Sequence, residues 1–149
     1  LLEKGVKLDG VDGVKYMYHE PCHTPMKTYQ GIKVVNELMG DKVNLSDRCC
    51  GEAGTLAVSR PDISTQVRFR KQEELEKGVA AIRKEDATSQ VKVLTSCPAC
   101  LQGLSRYDND TGTTADYIVI EMAKKILGEQ WLVDYVGKAN NGGIERVLL

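Results

Sequence analysis

The sequence predicts an α/β fold: a small, mainly parallel sheet flanked by helices, of the Rossmann-like type. Two short segments rich in β-forming residues, Val14–Tyr18 and Val91–Thr95, predict strands. Longer segments between and after them repeat apolar residues every three or four positions, which is the spacing of a helix face. Strands that alternate with helices favour parallel pairing, because a helix is the usual crossover between parallel strands.

The first predicted strand, Val14–Tyr18, runs into a loop whose two prolines cannot pair in a sheet. Residues 27–39 follow as a predicted helix, for which Gly40 is suited as a C-cap. Val43–Leu45 is a candidate short strand. The next segment, Asp47–Gly54, is predicted to be a turn-rich loop, because its two glycines permit backbone angles that other residues resist.

A long charged segment, Pro61–Glu85, is predicted to be a helix, because proline suits a first helical turn and apolar residues recur along it. A bend is expected near Gly78. Val91–Thr95 is the clearest strand, and a short helix over residues 101–107 should follow it, with Pro98 in the first turn. The candidate buried positions of the long helix are Ile63, Val67, Leu75, Val79 and Ile82.

The last part of the chain is predicted to be a polar loop followed by helices and a turn. The loop is Asp108–Thr114 and the helix is Asp116–Leu127. A further helical turn is expected over Trp131–Tyr135, and a glycine-containing turn over residues 140–143 precedes the end of the chain, Val147–Leu149.

Length and charge limit the classes of protein. The 149 residues, 42% of them hydrophobic, suffice for one domain with a substantial core, so 1–149 is expected to be a single domain. The 20 basic and 21 acidic residues are interspersed, which argues against nucleic acid as a partner. No apolar run is long enough for a transmembrane segment. The start, Leu1–Gly5, has neither a methionine nor a signal pattern, so the chain is expected to be a fragment of a longer polypeptide.

Five cysteines form three clusters: Cys22 alone, Cys49-Cys50 before a glycine, and the C-x-x-C pair Cys97 and Cys100. Thiolates bind soft metals, and both sulfurs of a C-x-x-C pair can converge on one centre. An odd number argues against a secreted disulfide framework and favours a reducing, cytoplasmic compartment. The sequence therefore predicts a metal or iron-sulfur site assembled from distant loops, with all five cysteines as ligands.

Other functions stay open for each cluster. Side chains of adjacent residues such as Cys49 and Cys50 can reach one site only where the chain bends, and Gly51 permits a bend. The alternative is that both are small buried side chains of the core. Cys97 and Cys100 could instead form a redox dithiol, and Cys22 could belong to the core. A structural zinc needs four ligands and leaves one cysteine over, whereas an iron-sulfur cluster offers several irons.

Two histidines flank Cys22. His19 and His23 could ligate a metal or donate a proton near the site, but a satisfied hydrogen-bonding role is the favoured interpretation. No catalytic residue is predicted. Glu73 and Glu74 are interpreted as part of a solvated helix face.

Three segments resemble the cysteine-rich CCG domain. They are Tyr18-His19-Glu20-Pro21-Cys22-His23, Cys49-Cys50-Gly51-Glu52-Ala53-Gly54 and Cys97-Pro98-Ala99-Cys100. That family occurs in heterodisulfide reductases and in the iron-sulfur subunit of glycolate oxidase. The resemblance covers roughly residues 14–107. It implies that the five cysteines hold a metal centre, which in some members is a non-cubane [4Fe-4S] cluster and in others zinc.

The helical extension, 114–149, resembles the C-terminal end of bacterial FAD-linked oxidases that fuse a flavin domain, a ferredoxin-like part and a CCG module. Those proteins are similar to D-lactate or glycolate dehydrogenases. The resemblance implies an electron-transfer module that works with upstream FAD and ferredoxin-like domains and passes electrons to an acceptor such as quinone. A cytoplasmic location, peripheral to the inner membrane through the full-length protein, would follow.

Backbone N–H groups of the loop from Gly51 to Gly54 are expected to help set the potential of the cluster. No residue matches hydride-accepting machinery, so the chain alone is not expected to oxidise a 2-hydroxy acid. Two alternatives remain: a structural zinc module that docks domains or subunits, and a metal-free dithiol that uses Cys97 and Cys100.

Overall fold

The computed structural model describes residues 2–24, 26, 28–40, 43–52 and 55–142. Within them the chain forms one four-stranded, all-parallel sheet with helices on both faces, which confirms the predicted α/β class. The strands are β1 (Val14–His19), β2 (Asn44–Ser46), β3 (Gln90–Thr95) and β4 (Thr113–Tyr117).

Seven α-helices are assigned in the described ranges. They are α1 (Gly31–Met39), α2 (Leu56–Ser59), α3 (Pro61–Glu85), α4 (Pro98–Leu104), α5 (Asp108–Thr111), α6 (Ile118–Leu127) and α7 (Trp131–Asn140). Short 3₁₀ turns cover Leu2–Lys4 and Ser105–Tyr107. None of the helices in the described part of the chain is both long and apolar enough to cross a membrane.

The strand order is β2-β1-β3-β4. The chain first moves from β1 to β2 at one edge and then crosses back over β1 to β3. This reversal places a topological switch point between β1 and β3, where Tyr18 pairs with Leu94. In open parallel sheets the crevice at the carboxyl ends of strands beside such a point is where ligands bind.

Alternation along the strands separates two apolar layers. Met17 and Val93 face α3 and α4 on one side, whereas Tyr18 and Leu94 face α1 and α6 on the other. His19 comes two residues after Met17 and therefore belongs to the face that α3 and α4 cover. The end of β1 thus directs a buried imidazole toward the same layer as Cys50 and Cys100.

The predicted strands and long helices of the first hundred residues are confirmed, with shifts at their ends. The first helix begins at Gly31, and Gly40 ends it in the left-handed conformation, with φ of 90°. Lys27, the predicted start, lies outside the described residues. The short helix after β3 begins at Pro98 rather than at residue 101 and ends at Leu104.

The prediction for Asp108–Thr114 was wrong. A single loop was expected, but the segment holds α5 and the first residues of β4. Asp116 and Tyr117 belong to β4, so α6 starts two residues later than predicted, at Ile118. The predicted helical turn at Trp131 extends to Asn140, and residues 143–149 lie outside the described part.

The long helix α3 spans the predicted range without interruption. Ile63 was wrongly assigned to the core, because its side chain is 40% exposed. Gly78 has a packing role: a Cβ there would overlap the side chain of Met17 on β1. The buried face of α3 consists of Ser64, Lys71, Leu75, Val79 and Ile82.

Candidate metal centre

The three cysteine clusters follow the carboxyl ends of three neighbouring strands. Cys22 lies after β1, Cys49 and Cys50 after β2, and Cys97 and Cys100 after β3. Because the strands are parallel, their carboxyl ends share one edge of the sheet, and the loops meet there. All three cysteine clusters therefore gather at this edge of the sheet.

The inner part of this group is buried and consists of His19, Cys50 and Cys100. One ligand atom from each of them lies within 4.8 Å of the other two. The Sγ atoms of Cys50 and Cys100 are 3.5 Å apart and share a hydrogen bond. Both thiols are free rather than joined in a disulfide. The three residues could hold a metal ion.

The outer part of the group contains the other three cysteines. Cys22 and Cys49 are exposed, and Cys97 is half-buried. The sulfur of Cys49 accepts a hydrogen bond from the Gly51 N–H at 3.3 Å, which Gly51 can donate because the chain bends there at φ of 80°. Gly54, the other glycine expected to contribute, lies outside the described residues.

Hydrogen bonding divides Cys50 and Cys100 into a thiolate and a thiol. The hydrogen bond with Cys100, assisted by His19, lowers the pKa of Cys50 to about 4 against the opposing effect of burial. The same hydrogen bond, together with burial, raises the pKa of Cys100. One negative charge is therefore stabilised inside the layer, where a metal ligand must be deprotonated.

The pKa of Cys22 is raised by loss of hydrating water and by the neighbouring sulfurs of Cys49 and Cys50. Cys97 acts on the pKa of Cys100 in the same direction. These mutual effects mean that each cysteine cluster is close enough to influence another. The sulfurs at the end of the sheet form one electrostatically connected set.

His19 presents its two nitrogens to different surroundings. Nδ1 lies 3.2 Å from the Ser46 carbonyl oxygen and 3.2 Å from Nζ of Lys71, whereas the buried Nε2 has no hydrogen-bond partner among the described residues. When Nδ1–H donates to Ser46, Nε2 carries a free lone pair, which is the form that binds metals; when Nδ1 instead accepts from the Lys71 ammonium group, Nε2 carries the proton. The interpretation favoured from the sequence, a hydrogen-bonding histidine, therefore fits Nδ1 but not Nε2. His23 is exposed.

Lys71 supports this side of the site from α3. Its side chain has no solvent exposure, and Nζ donates to Ser46 Oγ at 2.5 Å and to Glu74 Oε2 at 2.9 Å. Burial lowers the pKa of Lys71, and Glu74 and the Cys50 sulfur oppose that effect. Glu74, interpreted from sequence as solvated, is 18% exposed and also accepts the backbone N–H of Asp47.

Gly103 lets the loop of Cys50 approach α4. A Cβ at Gly103 would lie 2.5 Å from Glu52 Cγ and 3.4 Å from Cys50 Cβ. Glu52 is held in turn by an ion pair with Arg106. Helix α4 carries Cys100 one turn before Gly103, so this close contact brings Cys50 and Cys100 together.

Comparison with known proteins assigns only the end of the chain. A model described as a domain of unknown function (DUF3400) matches residues 105–149. That segment contains β4, α6 and α7 but none of the five cysteines. Neither the curated proteins nor the solved structures gave a match.

Proposed function

We propose that the chain is an iron-sulfur electron-transfer module of a flavin-linked oxidoreductase that acts on a 2-hydroxy acid such as lactate or glycolate. The observation that supports it best is the gathering of five thiols and one imidazole at the carboxyl end of a parallel sheet, on segments that end or follow three neighbouring strands. Cys22, Cys49, Cys50, Cys97 and Cys100 would hold the cluster.

The donor set suits a cluster better than one ion. Two sulfurs bonded to a single tetrahedral zinc at about 2.3 Å lie roughly 3.7 Å apart, so the 3.5 Å between Cys50 and Cys100 fits two ligands of one metal. Together with the other three cysteines and the buried Nε2 of His19 they make six donor atoms, more than the four ligands of a closed zinc site. Additional iron atoms would use the surplus.

Charge in the surroundings also favours a thiolate-rich centre. Lys71 brings a fully buried ammonium group into contact with His19, and its charge interacts with Cys50. A buried positive charge offsets part of the negative charge that several thiolates would bring. Gly51 adds an N–H donor to the sulfur of Cys49, and donors of this kind tune the potential of a cluster.

The proposed role in electron transfer rests on the resemblance to the CCG domain and to the end of FAD-linked oxidases. A bound iron-sulfur cluster would supply one-electron redox chemistry. The chain would receive electrons from upstream flavin and ferredoxin-like domains and pass them to quinone or a similar acceptor at the cytoplasmic face of the membrane. Without those domains it would not be a complete enzyme.

The test is metal and acid-labile sulfide content, with the visible spectrum, of protein expressed with added iron and purified without oxygen. We expect iron and sulfide together with broad visible absorption. Cys50→Ser and Cys100→Ser should abolish both signals, while Ser59→Ala on the exposed helix α2 serves as a control. A colourless protein with one zinc per chain, which keeps its zinc when one cysteine is substituted, would instead indicate a structural zinc module. Absence of both metals would favour the dithiol.

A further inference from the structure

A second candidate site lies beside the outer cysteines. A cavity of about 490 Å³ is lined by Arg48, Cys49, Val67 and Arg70. The first two residues come from the loop after β2, and the other two lie on successive turns of α3. The lining therefore includes a cysteine, a half-buried valine and two arginines, and Arg48, Cys49 and Arg70 are exposed.

The two arginines lack a carboxylate partner in the described part of the chain. Two other arginines do have one, since Arg60 pairs with Asp62 and Arg106 pairs with Glu52. The nearby carboxylate of Glu74 is already engaged. Its Oε1 accepts the backbone N–H groups of Asp47 and Arg48, and its Oε2 accepts Lys71 and Ser46. Two positive charges of the cavity thus remain uncompensated by ion pairing.

We propose that this cavity binds a small anionic ligand, through a carboxylate or phosphate group held by Arg48 and Arg70, next to the sulfur of Cys49. Guanidinium groups recognise both kinds of anion through paired N–H donors. The volume is within the range of small-molecule sites. The role of the ligand rests on the proposed function: beside a metal centre it would lie at the solvent edge, where a substrate or electron acceptor must bind.

The first test uses the charge of an alkylating reagent on the reduced, metal-free chain. Anionic iodoacetate and neutral iodoacetamide attack the same thiols, and mass spectrometry of peptides gives the two rates at each cysteine. We expect the iodoacetate-to-iodoacetamide ratio at Cys49 to exceed that at Cys97, which does not line the cavity, by about threefold at low salt. The excess should shrink in 1 M salt.

Substitutions link that excess to the cavity. Arg48→Gln and Arg70→Gln should each lower the ratio at Cys49, whereas Lys77→Gln, which removes an exposed cation elsewhere on α3, should leave it unchanged. Equal ratios at Cys49 and Cys97, or a ratio at Cys49 that neither arginine variant changes, would overturn the proposal. Because the protein is metal-free here, a failure of the iron-sulfur proposal leaves the result intact.

The second test identifies the anion. Succinate and inorganic phosphate are titrated at constant ionic strength, with neutral succinamide as control, and the protection of Cys49 from iodoacetamide is measured. Saturable protection by succinate alone would assign a carboxylate ligand, and by phosphate alone a phosphate ligand. Protection by neither anion, or equal protection by succinamide, would refute an anion site.

Discussion

Gly103 on α4 lies against the backbone of Cys50, with 3.3 Å between its ideal Cβ position and the Cys50 carbonyl oxygen. Close approach of this kind is a common reason for a glycine inside a helix, where the residue otherwise costs about 1 kcal/mol relative to alanine. The contact joins the loop after β2 to the helix after β3.

Gly103→Ala should therefore destabilise the protein despite alanine's better helix propensity. We expect overpacking against Cys50 and Glu52 to lower the free energy of unfolding by roughly 1–2 kcal/mol, measured by urea denaturation. Gly137→Ala on α7 is the matched control, because its Cβ would meet nothing within 4 Å, and it should gain about 0.5–1 kcal/mol. Equal gains for both variants would contradict the packing role of Gly103.

Lys71→Met should show that the buried ammonium group stabilises the site side of α3. The substitution keeps the length of the side chain but leaves Ser46 and Glu74 without their donor, so a loss of roughly 3 kcal/mol in unfolding free energy is expected. Lys77→Met, at an exposed position of the same helix, should change it by less than about 0.5 kcal/mol.

A double variant separates the two effects of removing Lys71. Lys71→Met with Glu74→Gln removes the charge that the single variant leaves uncompensated, and should recover part of the lost stability. If the loss of unfolding free energy in the double variant equals the sum of the losses in the two single variants, Lys71 and Glu74 do not interact.

Stability in acid should depend on Glu121, a fully buried carboxylate on α6. Burial opposes its ionisation, but hydrogen bonds from Lys124, Lys92 and Tyr16 outweigh that effect and lower its pKa below the ordinary 4.5. Its stabilising contribution is therefore complete above pH 4.5 and is lost as the pH falls toward the lower pKa of the folded state.

Glu121→Gln should be less stable than the native chain at pH 7, and its unfolding free energy should fall less steeply between pH 5 and 3. Urea denaturation across that range measures both quantities. Glu73→Gln, at an exposed position of α3, is the control and should keep the native acid slope. A Glu121→Gln slope equal to the native one would exclude this carboxylate as a source of acid sensitivity.

His19→Gln should weaken metal binding about 10–100-fold, whether the imidazole ligates directly or orients the sulfurs around Cys50. The measurement is loss of metal to a chelator, followed by the visible spectrum. His23→Gln, at an exposed position of the loop that follows β1, should behave like the native chain. Identical retention in both variants would remove His19 from the site.

The elements that the sequence predicts well are those whose residues reflect their own surroundings. The alternating apolar residues of β3 and the proline at the start of α3 suffice to locate both elements. The sequence does not predict β4, because Thr113–Tyr117 is mostly polar and only Thr113 is buried. Neither alternation nor an apolar run therefore indicates a strand there. A strand at the edge of a sheet needs less apolar surface than one at its centre.

The cysteine loops could be anticipated for a similar reason: their residue types carry the chemistry. The supporting residues could not. Lys71 continues the buried stripe of α3, but a lysine there is expected to be solvated unless the distant Ser46 and His19 are known to face it. Gly103 stands inside an ordinary helical pattern, and only the fold reveals that the Glu52 side chain occupies the space of its missing side chain, with Cys50 in close contact.

The site is closed on one side and open on the other, since Cys50 and Cys100 are buried whereas Cys22 and Cys49 face water. A metal arriving from solution would meet the outer pair first and the inner pair last. Oxidants would arrive from the same side, so oxidative damage should begin at Cys22 and Cys49 and reach the buried sulfurs of Cys50 and Cys100 last.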